Sequence, residues 1–445
     1  MPVLLPASSV RPLLKKLIAT ALSASDPYYS LLRTVSLRGQ TLRVGRRVYN
    51  LQRINRVIAI GAGKASARMA LALERVLGTR LEGGLVVVKP GHGVSTKRIT
   101  IVEAGHPIPD RAGLRATAEL KRLIRGLAPR DLLLVLLSGG ASSLLPAPVP
   151  GVTLGDKQRT TRLLLKSGAT IHEMNTVRKH LSSLKGGQLA VLTRARIITF
   201  ILSDVIGDDI GTIGSGPTAP DPTTFAEAIG VLKRRRVWSL VPAAVRRHLL
   251  QGRKGAVRET LKPGSRRLQA VQHEIIGNNR EMLRAVAQAA QKAGVRTLLL
   301  PTALVGEASQ AAKRFVRLAR PPRGRKQPAW RPGCVVAGGE PTVTVTGRGK
   351  GGRAQEFATA AAFHIAGLPK TWLAAVGTDG TDGPTDVAGA IVTGETVARA
   401  RKLGVNLRSA LRRHNTYPAL KTLQCHICTG PTGTNVNDLY LLLLL

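Results

Sequence analysis

Acidic side chains are scarce in this chain. It has 25 Asp and Glu against 67 Lys and Arg in 445 residues, a formal net charge of +42. Such an excess concentrates anions and favours loose contact with nucleic acid. Specific readout of nucleic acid needs more than charge. The basic runs Lys233–Arg236 and Lys313–Lys326 hold a single aromatic, Phe315, and neither zinc-finger spacing nor an RNA-recognition signature accompanies them. They are expected to form solvated surface, with no specific nucleic-acid partner. Three cysteines exclude a disulfide framework. Cys425 and Cys428 flank His426, but one such pair without further spaced ligands is a poor zinc or redox motif. Aromatics make up 3% of the chain. No apolar run approaches the roughly 18 residues a membrane helix needs. The terminal LYLLLLL suits a strand or helix packed on a core. The start of the sequence lacks a charged segment leading into a long apolar stretch, so no export and a reduced, cytoplasmic setting are expected.

Glycine and proline are plentiful, at 47 and 26 residues, and the hydrophobic fraction of 43% is globular. The length suits about three domains or two large ones. A loosely amphipathic helix is expected over 11–35. Short β-branched or apolar strands follow at 56–60, 85–88, 99–103, 131–137 and 197–202, with a helix over 112–127. The strands end in GAGKAS, KPGHG, GHPIPD, SGGASS and SDVIGDD. This alternation predicts an α/β fold with a mainly parallel sheet, helices on both faces, and ligand loops at the carboxyl ends of strands. Residues 233–270, with twelve basic residues and one acid, read as an exposed connector. A second α/β region is expected beyond it. Its elements are helices over 279–293 and 306–319, an exposed loop at 321–332, strands at 296–300, 334–337 and 371–376, and a helix from 353 to 366. The expected domains are 1–250 and 271–445, joined by a basic connector at 251–270.

Five local patterns carry chemistry. GAGKAS (61–66) follows a strand and opens a helix. It is neither a Walker A loop, because Ala65 replaces Ser or Thr, nor a full dinucleotide fingerprint, because Ser66 holds the third glycine position. It still sets Lys64 at a helix N-terminus, with Gly61, Gly63 and Ser66 able to cradle a phosphate; an ordinary tight turn is the alternative. In SGGASS (138–143), Ser138, Gly139, Gly140 and Ser142 could hold an oxyanion, phosphate or carboxylate. The G-x-S-x-G elbow of a serine nucleophile is absent. Residues 174–190 read as one helix stopped by Gly186 and Gly187. It places Arg178, Ser182 and Lys185 on one face beside Asn175, a clamp for an anion or a merely solvated face. GGEPTVTVTGRGKGGRAQEF (338–357) reads as a strand over 342–346 and a glycine loop running into a helix that opens at Arg353. Its Gly349, Gly351 and Gly352 amides would approach an anion alongside Arg348, Lys350 and Arg353. Acids stand at strand ends in SDVIGDD and GTDGTDGPTD. Asp204 is a candidate base or metal ligand, and Asp379, Asp382 and Asp386 are candidate metal ligands, with Asx-type turns as the alternative. Anion nests, nearby cations and a few carboxylates suit phosphoryl transfer.

These pieces, taken in order, resemble the glycerate 2-kinase (MOFRL) family. The match runs through GAGKAS (61–66), EAGHPIPD (103–110), SGGASSLL (138–145), NTVRKHLSSLKGGQLA (175–190), SDVIGDDIGTIGSGPTAPDPTT (203–224), GGEPTVTVTGRGKGGRAQEFA (338–358), GTDGTDGPTDVAGA (377–390) and GPTGTNVNDLY (430–440). The resemblance implies a Rossmann-like N-terminal domain and a smaller α/β domain, with the active site in the cleft between them. It implies ATP and Mg²⁺ as cofactors, D-glycerate as the acceptor at its 2-hydroxyl, a homodimer as one assembly, and no membrane partner. Lys64 and Arg353 fall on the family's lysine and arginine and are expected to be catalytic. Ala354 stands where the family usually has Asn, which puts an amide contact in doubt. Some relatives carry a hydroxypyruvate reductase name, so a hydroxy-acid oxidoreductase is the second reading.

Overall fold

The computed structural model describes residues 3–5, 11–318 and 332–445. The loop expected over 321–332, apart from its last residue, and the basic run beyond residue 318 lie outside them. The chain divides into two compact units: Pro27–Ile276, and Gly277–Leu445 together with the N-terminal segment up to Asp26.

The first unit begins with a small antiparallel meander of β1 (Val35–Arg38), β2 (Thr41–Val44) and β3 (Arg47–Asn50). Its main sheet contains β4 (Val57–Ala62), β5 (Gly83–Val88), β6 (Ile99–Glu103), β7 (Leu132–Leu137), β8 (Arg196–Leu202) and β9 (Val271–Gly277), in the spatial order β6-β5-β4-β7-β8-β9. Strands β4 to β8 pair in parallel. Every residue of β4 and β7 is buried, as expected for strands covered on both faces. From β4 the chain adds strands on one side, then crosses to build on the other. The carboxyl ends of β4 and β7 therefore flank the switch point, where such sheets bind ligands.

The connector expected over 251–270 is folded into this unit. Residues 243–253 form a helix. Beyond it, the Leu261 N–H donates to Gly186 O at 3.0 Å, and the Leu261 carbonyl accepts from the Asp221 N–H at 2.8 Å. Most of the segment stays exposed or half-buried, as its basic composition suggests, but Thr260 and Leu261 are buried and tie it to the unit. Its anchor is Asp221, whose carboxylate accepts from Thr260 Oγ1 at 2.9 Å and pairs with buried Lys179 at 3.3 Å. The predicted 174–190 helix also ends early: the helix is Ile171–His180, and Ser182 and Lys185 belong to the turns after it.

The second unit contains β10 (Thr297–Leu299), β11 (Cys334–Gly339), β12 (Thr371–Gly377), β13 (Gly389–Thr393), β14 (His426–Ile427) and β15 (Asp438–Leu444), in the order β10-β11-β15-β12-β13-β14. This sheet is mixed. β15 runs antiparallel to both β11 and β12, so the apolar tail is a central strand buried between two neighbours. The helix expected over 11–35 is two helices, Arg11–Ala24 and Pro27–Thr34, because proline sets a new helix start. The first packs on the Asn279–Lys292 helix of the second unit, so the boundary expected at 250–271 holds neither at the N-terminus nor before β9. The strand expected over 342–346 does not form; that stretch makes only an isolated bridge from Thr342 to Glu307. No helix among the described residues is long and apolar enough to cross a membrane.

Burial opposes the Asp221 charge, but Lys179 and the Thr223 hydroxyl and amide hold its pKa below the ordinary carboxylate value. A depressed folded pKa means the stabilisation is complete above about pH 4 and is lost as pH falls through the folded value. Asp221→Ala leaves Lys179 buried and uncompensated and is expected to cost about 3–5 kcal/mol at pH 7 in urea denaturation. The gap from wild type should narrow on acidification.

Candidate active site

At the switch point the loop after β4 is stitched to the loop after β7. The Lys64 N–H donates to Gly139 O at 2.8 Å, and the Ala65 N–H donates to Ser138 Oγ at 3.0 Å. Ser66 Oγ donates to Leu136 O at 3.2 Å and lies 3.1 Å from Ser138 Oγ. Ser66 and Ser138 are both fully buried, so the two hydroxyls bind the loops together. Gly63 has φ +138°, and a Cβ there would fall 2.1 Å from Ser138 Oγ. Gly61 lies inside β4 against Leu136, where its missing side chain serves strand packing. The helix Ser66–Leu77 opens directly after this seam, which puts Lys64 before a helix N-terminus whose dipole favours anions.

Beside the seam lies a cavity of about 210 Å³, lined by His106, Gly140, Ser142, Ser143, Arg178 and Lys185 among others. Arg178 and Lys185 meet there although no single helix carries both. Lys157 also reaches it, from the Leu154–Lys166 helix. Asn175 is buried and supports the wall from behind: its Oδ1 accepts from Ser215 Oγ at 3.0 Å, and Ser215 Oγ lies 2.9 Å from Ser142 Oγ. Asp204 is half-buried just past the carboxyl end of β8, next to β7.

In the second unit Arg353 opens the helix Arg353–Ile365. Its Nε and Nη2 donate to the two oxygens of Asp438, at 2.7 and 3.0 Å, and its Nη1 donates to Glu340 at 2.8 Å. Asp438 is buried at the start of β15 and also accepts from the Tyr440 hydroxyl at 2.9 Å. Burial opposes the charge on Arg353, but Asp438 and Glu340 outweigh it and raise its pKa. A guanidinium has five N–H donors and three are committed, which leaves two fixed in direction.

A domain of unknown function (DUF4147) matches residues 13–250, and the MOFRL family matches residues 333–438. The chain is 41% identical to a glycerate 2-kinase of Pyrococcus horikoshii over 97% of both chains. It superposes on a solved glycerate kinase of Thermotoga maritima with a TM-score of 0.82, at 36% identity over 98% of this chain and 100% of that one. A solved Pyrococcus horikoshii protein gives the same TM-score at 40% identity, covering 99% of each chain. The chain belongs to the glycerate kinase family.

For a glycerate kinase the second unit departs from its sequence reading in three ways. The amides at the start of the Arg353 helix are not open to an anion, because Asp382 caps them. Its Oδ1 accepts from Ala354 N–H at 3.0 Å and its Oδ2 from Gln355 N–H at 2.8 Å. Burial lifts Asp382 to about 6, against the pull of those amides. The glycines of the preceding loop answer packing demands. A Cβ on Gly349 would meet Arg413 O at 2.2 Å, one on Gly351 Thr416 Oγ1 at 2.3 Å, and one on Gly352 Asp382 Oδ1 at 2.4 Å.

The three candidate metal ligands of that unit do not converge. Asp379 Oδ1 accepts from the Thr381 N–H, Asp382 is the cap, and exposed Asp386 accepts from the Tyr417 hydroxyl at 2.7 Å. Among the described residues no group of three His, Cys, Asp or Glu side chains is arranged to hold a metal ion. Ala354 is fully buried in the apolar core, so the residue at this position faces the interior and not a ligand. Sequence reasoning missed Lys157, His106, Glu340 and Asp438. The one available signal lay in the motifs themselves, since Asp438 falls within GPTGTNVNDLY and His106 within EAGHPIPD. Replacing Asp382 by Ala uncaps two buried amides and is expected to cost about 1–3 kcal/mol in chemical denaturation.

Proposed function

We propose that the chain is an ATP-dependent kinase that phosphorylates D-glycerate at its 2-hydroxyl, giving 2-phosphoglycerate and ADP. The observation that carries this reading is the seam at the switch point. It holds Lys64 at a helix N-terminus by backbone bonds, so a cation and a helix dipole act together on a phosphate without reorganising. Arg353, fixed by two carboxylates, supplies a second directed cation. In the reaction the 2-hydroxyl oxygen bonds to the terminal phosphorus as the bond to the ADP oxygen breaks. Asp204 is the carboxylate proposed to take the hydroxyl proton.

Magnesium carried on a nucleotide needs only one or two protein carboxylates, because phosphates and water fill its other positions. Asp204 suits that limited demand better than the scattered Asp379, Asp382 and Asp386. When bound, the ion would offset phosphate charge.

Relatives in Agrobacterium vitis, one of them 38% identical over 98% of this chain, bear a provisional hydroxypyruvate reductase name. The reductase reading is disfavoured by Ser66. Its hydroxyl bonds across the seam at the position where a dinucleotide loop has a glycine for close helix packing.

Purified protein given ATP and D-glycerate should release ADP, with 2-phosphoglycerate identified by NMR. Lys64→Ala and Arg353→Ala should each lower kcat by on the order of 100-fold or more. Lys64→Ala should keep its unfolding midpoint, whereas Arg353→Ala strands buried Asp438 and should lower it, so the conservative Arg353→Lys serves as the second variant. Asp438→Asn should lower kcat more than it raises either KM, as expected of a residue that positions Arg353. Formation of 3-phosphoglycerate, or NADH oxidation by hydroxypyruvate in place of ATP turnover, would overturn the assignment.

A further inference from the structure

Three cations converge on the first-unit cavity, and no acid among the described residues lines it. Lys157 and Lys185 are 9% and 3% exposed. Each ammonium donates to one carbonyl: Lys157 to Leu181 O at 3.0 Å and Lys185 to Leu145 O at 2.8 Å. Two N–H donors therefore remain on each. Arg178, half-buried in the same cavity wall, has no hydrogen-bonding or ion-pairing partner among the described residues. Loop stapling explains one lysine bonded to one carbonyl. It does not explain three like charges brought together in a poorly hydrated place, an arrangement that opposes folding unless an anion from outside completes it.

The size of the cavity narrows the choice of anion. About 210 Å³ is roughly the liquid volume of seven waters. It is smaller than the ~300–1,000 Å³ typical of pockets for drug-sized ligands. A three-carbon acid fits, whereas a nucleotide does not. The cavity also adjoins the phosphate loop, because Gly140 lines it while neighbouring Gly139 accepts from the Lys64 N–H.

We propose that this cavity binds the carboxylate of the hydroxy-acid substrate, and that Lys157 is a substrate-binding residue there beside Arg178 and Lys185. This rests on the kinase reading for the identity of the acid. The electrostatics agree with it. Burial and then Arg178 push Lys157 down to about 7; burial, Lys157 and Arg178 push Lys185 well below the ordinary lysine value. The titratable groups lining the cavity are these two lysines, Arg178 and His106. The empty site therefore sheds protons near neutral pH, and an arriving carboxylate draws them back. A lysine with a depressed folded pKa destabilises the empty protein fully below about pH 7, and that cost fades as pH rises toward the unfolded value.

The test is calorimetry of D-glycerate binding to the full chain at pH 8 without nucleotide, in two buffers of different ionisation enthalpy. Binding should take up protons. Lys157→Met should weaken it on the order of 30-fold or more, reduce the proton uptake, and raise KM for D-glycerate but not for ATP. Its thermal midpoint without ligand should equal or exceed that of wild type. Independently of any variant, an amine-reactive ester should acylate Lys157 in the wild type at pH 8, and D-glycerate should protect it, read by peptide mass spectrometry. Unchanged glycerate binding in Lys157→Met, unprotected labelling of Lys157, or inorganic phosphate binding tighter than D-glycerate and displacing it would each overturn the carboxylate assignment. Glycerate binding with proton uptake but without phosphorylation would leave the subsite standing and sink the kinase reading.

Discussion

The backbone bond from Lys64 N–H to Gly139 O is the constraint on which the first unit's chemistry depends. It joins two loops that leave adjacent parallel strands, at the one place where the sheet order reverses. Ser138 and Ser66 reinforce it from within the core, and both hydroxyls are spent on the join. The small residues of the two motifs therefore divide their labour. Gly63 and Ser138 let the loops approach, Gly61 lets β4 pack against Leu136, and Lys64 is left as the group that can act. A loop fixed in this way needs little rearrangement to meet a charged ligand, which is the condition under which fixed dipoles and cations contribute most to catalysis.

The scarcity of acids gives their placement meaning. In the second unit carboxylates, two of them buried, are committed to holding other groups still. Asp382 occupies the helix N-terminus, and Asp438 with Glu340 directs Arg353. In the first unit Asp221 does the same for Lys179. The cavity beside the seam is treated oppositely, with three cations and no acid on its wall. Paired cations are fixed in position and charge; the lysines left unpaired change protonation with what binds. The same chain thus builds two kinds of cationic group by supplying or withholding a carboxylate.

Much of this could be read from the sequence. Strands β4, β5, β7 and β8 were legible because strands covered on both faces are short continuous apolar runs, the edge strand β6 because it is a short β-branched run, and the loops of all five carry the punctuation. Lys64 was legible because its position depends only on a strand, a glycine turn and a helix in succession. The stretch 342–346 alternates like a strand yet lacks one, because alternation says nothing about whether a neighbouring edge is available. Val345 is 61% exposed, and Thr344 bonds to Glu307 instead. The helix through His180 stops without glycine or proline, with the Lys157 ammonium bonded to the Leu181 carbonyl and His248 to the His180 carbonyl. Lys157 was invisible for a related reason. LGDKQRTTRLLLK reads as an ordinary helix with a polar face, and only a segment more than twenty residues away turns that lysine into a buried one.

Gly140 draws the two halves of the first-unit site together. Its φ of +90° is open to glycine, and a Cβ there would lie 2.9 Å from His106 Nε2 and 3.6 Å from Lys64 Cγ. One backbone position thus lies close both to His106 of the cavity wall and to the Lys64 side chain. If the cavity holds a carboxylate and Lys64 a phosphate, as proposed, the loops joined at Lys64 and Gly139 would limit how far the spacing between the two can vary. A spacing limited in that way can tell apart hydroxyls on successive carbons of one small acid. Discrimination of this kind depends on position, since either hydroxyl could form the same hydrogen bonds.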